Sequence, residues 1–79
     1  MGFYERGGAL IDISVLSDGI EGSEGWVAEV WDLTPGGPGE LIHIHFDSQG
    51  RATVERIAAS VDDDFVAWAL SAARSELLA

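Results

Sequence analysis

Seventy-nine residues without a cysteine fit one domain and exclude both a disulfide and a thiolate zinc site. Fourteen acids face four arginines and no lysine, and the formal net charge of −10 repels phosphate backbones and anionic lipid headgroups. Direct nucleic-acid binding and membrane-surface binding are therefore not expected, and no apolar run approaches the roughly 20 residues that cross a bilayer.

Met1 to Gly8 reads as a short lead with Phe3 and Tyr4, fraying or packing on an edge. It carries Glu5 and lacks the apolar stretch of a signal peptide, so a cytoplasmic protein is expected. Ala9 to Leu16 is the first predicted strand: Ile11, Ile13 and Val15 alternate with Asp12 and Ser14. Ser17 to Gly25, with three glycines and three acids, is an acidic loop. Trp26 to Leu33 is the second strand. Glu29 sits in its middle and is costly to bury unpaired, which assigns Trp26, Ala28 and Val30 to the core and Trp31 to the open side.

Thr34 to Glu40 contains Pro35 and Pro38 and is read as loop. Leu41 to Phe46 is the third strand and alternates most sharply: Ile42, Ile44 and Phe46 point one way, His43 and His45 the other. Asp47 to Arg51 fits a three-residue turn with Gly50 in the left-handed region, which places Ile44 opposite Val54 and Phe46 opposite Ala52. The fourth strand is Ala52 to Ile57, and Ala58 to Val61 connects it to a helix over Asp62 to Leu78. Ser60 or Asp62 caps that helix, and Val66, Ala69, Leu70, Ala73 and Leu77 form its apolar stripe. The expected fold is α+β: a four-stranded antiparallel meander sheet with one C-terminal helix packed on one face, β-β-β-β-α.

Pairing Leu33 with Leu41 sets Trp31 opposite His43 and Glu29 opposite His45, with Glu55 beside His43, Thr53 beside His45 and Asp12 next to the group. A slip of one residue would reverse the faces. Three uses of this open face compete with plain solvation. Two histidines among carboxylates suit a metal. A histidine between carboxylates suits a general base, although no serine or cysteine nucleophile and no phosphate-binding glycine motif accompanies it. Tryptophan and histidine on an uncovered sheet suit a protein contact. The loop acids Asp18, Glu21 and Glu24 add a negative rim able to engage a basic surface.

In length, missing cysteines, negative charge and meander-plus-helix layout the chain resembles the small acidic inhibitor proteins of phages, particularly anti-CRISPR proteins of type I systems. It is similar on the same grounds to bacterial toxin-immunity proteins. The resemblance implies a non-catalytic inhibitor that occupies a basic, nucleic-acid-binding surface of a partner protein. The partner-binding residues expected are Asp18, Glu21, Glu24, Glu29, Trp31, His43, His45 and Glu55, with no catalytic residue, cofactor or metal. The alternatives are an immunity protein or a small metal- or ligand-binding module using the His-x-His strand. A weak homodimer through the open face is also expected, responsive to salt and to protonation of the histidines below about pH 6.5.

Overall fold

The computed structural model describes residues 2–17 and 25–78. Five strands, β1 (Gly2–Arg6), β2 (Ala9–Ser17), β3 (Trp26–Asp32), β4 (Gly39–Phe46) and β5 (Ala52–Arg56), precede one helix, α1 (Asp63–Leu78). They form a single antiparallel sheet in chain order. The α+β layout is as expected, but the sheet has five strands where the sequence reading gives four. The extra one is the N-terminal segment, for which fraying and packing on an edge were the two expectations; it packs on the edge, as a strand. Arg6 pairs with Ala9, leaving the two-residue turn Gly7–Gly8, and both glycines have positive φ (58° and 82°). Such a turn follows the right-handed twist of the strands and is open almost only to glycine or asparagine.

One face of the sheet carries the core. Ile11, Ile13, Ala28, Val30, Ile42, Ile44 and Phe46 are buried against Ala69 and Ala73 of α1. Each of the larger side chains contributes about 1.5–3 kcal/mol relative to exposure. The two alanines let the helix approach the sheet closely, while Val66, Trp68, Leu70 and Leu77 pack around them half-buried. Asp62 caps the helix: its Oδ1 accepts the Phe65 amide at 2.8 Å, and Asp63 and Asp64 follow at the positive end of the dipole. Trp68 lies between Tyr4, edge-on at 5.7 Å, and Phe65 at 5.4 Å.

The β4–β5 turn matches its expectation. Gly50 has φ of 80°, Ile44 faces Val54 and Phe46 faces Ala52. The β3–β4 register does not. Val30 faces Ile42 and Glu29 faces His43, so the Leu33–Leu41, Trp31–His43 and Glu29–His45 pairings are overturned. The shift is by two residues, which keeps the isoleucines and histidines on their assigned sides. A bulge then moves the register by one more residue toward the loop: beyond Val30 the ladder resumes with Trp31 opposite Glu40, and Leu41 is the extra residue. Leu41 turns into the core beside Ile42, and its carbonyl accepts the amides of Ile57 and Ala58. Trp26, assigned to the core, lies on that side of the sheet but at its end, and 45% of it is exposed.

Candidate functional site

The face away from the helix is uncovered. Across it run three rows of cross-strand neighbours, whose Cβ atoms stand about 4.5–5.5 Å apart in an antiparallel pair. The middle row is Ser14, Glu29, His43 and Glu55. Toward the bulge lies Asp12, Trp31 and Glu40. On the other side lies Leu16, Val27, His45 and Thr53. Glu29, Trp31, His43, His45 and Glu55 are thus brought to one surface, as the alternation implied. Asp18, Glu21 and Glu24 lie outside the described residues.

Two features of this face escaped the sequence reading. The first is Glu40, which the preceding prolines place in the loop. The bulge brings it onto the sheet with its Oε2 3.8 Å from His43 Nδ1. The only signal for it was its position three residues before His43, directly ahead of the alternating run. The second is an apolar flank from the first two strands. Phe3, Leu10 and Leu16 are 61%, 47% and 54% exposed and Trp31 37%; Asp12 is paired with both Phe3 and Trp31, and Glu5 with Leu10, so the flank is interrupted by two carboxylates.

The arginines decide the sign of the surface. Arg6 lies over the Trp68 ring at 5.0 Å and near Phe65, on the helix side. Arg56 pairs with Asp63 and donates to the Val61 carbonyl. Arg74 donates to the Gly50 carbonyl and covers the Phe46 ring. Arg51 is held in the β4–β5 turn by Asp47 at 2.8 Å. These are the chain's four basic residues, and none stands in the rows of the open face. Asp12, Glu29, Glu40 and Glu55, and Glu5, which pairs with Leu10 on the same side of the sheet, therefore meet no opposing guanidinium there.

Perturbed ionisation belongs to the turns and the edge. The Thr34 hydroxyl and amide hold the Asp32 carboxyl below its usual range, and the Arg51 amide, with the Arg51 side chain and Gln49 amide, does the same for Asp47. The hydrogen bond from Tyr4 to Glu76 raises the Tyr4 phenol, with burial and the Glu76 charge adding to it. Within the site, the Ser14 hydroxyl donates to Asp12 Oδ2 at 3.1 Å.

A cleft of about 310 Å³ opens on the opposite side, between the β1–β2 turn and the start of α1, lined by Arg6, Ala9, Ile11, Leu41, Val61 and Phe65 among others. None of the expected site residues lines it. Among the described residues no helix is long and apolar enough to cross a membrane. No family model, curated protein or solved structure matches this chain.

Proposed function

We propose that the protein is a non-catalytic inhibitor of the anti-CRISPR-like kind. Its open sheet face binds a basic surface of a partner protein and denies that surface to nucleic acid. The observation that carries this reading is the segregation of charge. The face gathers five carboxylates, Glu5, Asp12, Glu29, Glu40 and Glu55, with Trp31 and two histidines, while the arginines are engaged on the helix side or in a turn. Such a surface attracts clustered lysine and arginine and offers an aromatic anchor at its centre. The acids Asp18, Glu21 and Glu24 would extend the negative rim.

The test compares the immobilised chain with a variant carrying Asp12→Lys, Glu29→Lys and Glu55→Lys. The native chain is expected to retain a basic nucleic-acid-binding protein that the variant releases. DNA or RNA binding by the purified partner should then fall on addition of the native chain. The effect should fade between about 0.1 M and 1 M salt, as the screening length drops from about 10 Å to about 3 Å. A partner retained equally by the variant removes the open face from the contact. A secreted toxin retained in its place supports an immunity protein.

A further inference from the structure

One cluster on the open face is better organised than contact with a partner requires. Glu29, Glu40 and His43 each offer a ligand atom, and the three atoms lie within 4.8 Å of one another. Glu29 and His43 are directly opposed in the β3–β4 ladder, so the sheet fixes their spacing. Glu40 arrives through the bulge. In unbroken alternation residue 40 would share the core side with Ile42, and Leu41 would share the open side with His43. The extra residue exchanges them, which is how bulges re-aim side chains at sites.

The cluster also contains an unanswered charge. Glu40 Oε2 is shielded from solvent and accepts no hydrogen bond among the described residues. It is 3.8 Å from His43 Nδ1, beyond hydrogen-bond distance. A shielded carboxylate oxygen of this kind calls for a cation. The arginines cannot supply it, since each is engaged elsewhere.

We propose that Glu29, Glu40 and His43 form a binding site for a divalent transition metal, best suited to Zn²⁺. Two carboxylate oxygens and one imidazole nitrogen leave a fourth position of a tetrahedral ion to solvent or to a partner side chain. Donors around zinc at about 2.1 Å stand about 3.4 Å apart, so small rotations of the two glutamates close the site. Calcium and magnesium, which favour six or more oxygens, fit this donor set poorly. Glu55 is opposite His43 on the β5 side, where a carboxylate can orient a metal-binding imidazole. The chelate is not the His-x-His pair of the sequence reading, because His45 stands a row away between Val27 and Thr53. It does not depend on the partner proposed above.

Zinc chloride titrated into the full chain by calorimetry, together with thermal melts, tests the site. One ion per chain and a raised Tm are expected. Glu40→Gln and His43→Ala should each weaken binding at least tenfold, and His45→Ala less than threefold. Glu29→Gln repeats the Glu40 test if Glu40→Gln does not fold. Metal-free Glu40→Gln should melt no lower than the metal-free native chain, because it removes a charge without a partner. A lower melt in Glu40→Gln together with unweakened zinc binding in Glu29→Gln assigns Glu40 to a simple pair with His43 and overturns the proposal. So does the absence of heat or Tm shift with zinc, or an equal loss of affinity in His45→Ala.

Discussion

Tyr4 shows how much one side chain can hold at the sheet's edge. It lies on the helix side of β1, meets Trp68 edge-on, and its hydroxyl donates to Glu76 on the last turns of α1. A hydrogen bond to a carboxylate contributes about 1.5–3 kcal/mol when buried. At this partly exposed site we expect Tyr4→Phe to lower stability by about 0.5–1 kcal/mol in denaturant titrations. The pH response has a definite sign. The Glu76 hydrogen bond holds the Tyr4 phenol above its ordinary value of 10.0 in the folded chain. Its contribution is therefore fully present below pH 10 and is lost as pH rises through the raised folded value. The gap between native and Tyr4→Phe stability should stay level from neutral pH to about pH 9 and narrow in stronger alkali. A gap that widens there would contradict the Tyr4–Glu76 assignment. Other single-residue features were legible without coordinates. Asp62 was one of two residues named as the cap, and Gly50 takes the left-handed conformation expected of it.

The strands and helix were legible wherever alternation was unbroken. Ile42, His43, Ile44, His45 and Phe46 settle their own faces, and the Ala69–Ala73 stripe settles that of α1. Two elements were missed for different reasons. β1 lacks β-branched residues, and Phe3-Tyr4-Glu5-Arg6 has no apolar alternation, although the Gly7–Gly8 pair is a recognised hairpin signal. The bulge has no chemical marker at all. Leu41 is an ordinary apolar residue in an apolar strand, and only packing against the core explains why it turns inward. The open face was legible in membership and in its β4–β5 pairs, Glu55 beside His43 and Thr53 beside His45, but not in its β3–β4 pairing, and the bulge is why Glu40 was lost to the loop. The β1–β2 hairpin carries its own prediction. Placing valine at Gly8, where φ is 82°, should cost about 1–2 kcal/mol or more. That corresponds to a Tm lower by roughly 5–15 °C in a domain of this size. Amide exchange should accelerate at Phe3 to Arg6 well before it does in β3 and β4. Uniform acceleration would mean that β1 does not open separately.

On the scale of the whole molecule, the apolar flank and the net charge oppose each other. Phe3 and Trp31 are exposed on either side of Asp12, with Leu10 one pair along and Leu16 near the far end of β2. An aromatic side chain removes about 150–250 Å² from water when buried, so at about 25 cal/mol per Å² two copies meeting there gain a few kcal/mol. Lost rotational and translational freedom takes much of that back, and each copy carries −10. We expect a weak dimer that strengthens from about 0.1 M to about 1 M salt, read by sedimentation equilibrium. The proposed contact with a basic partner should weaken over the same range. A monomer at both concentrations would leave this flank solvated or reserved for the partner. The placement of the arginines has a further consequence that needs no contact at all. With Arg6, Arg56 and Arg74 on the helix side and five carboxylates without an arginine on the open face, the charge of the described residues is unevenly divided across the sheet. In the field of a positively charged surface the molecule experiences a torque as well as an attraction. It is turned face-first while still solvent-separated, so a larger fraction of first collisions already have the orientation that binding requires.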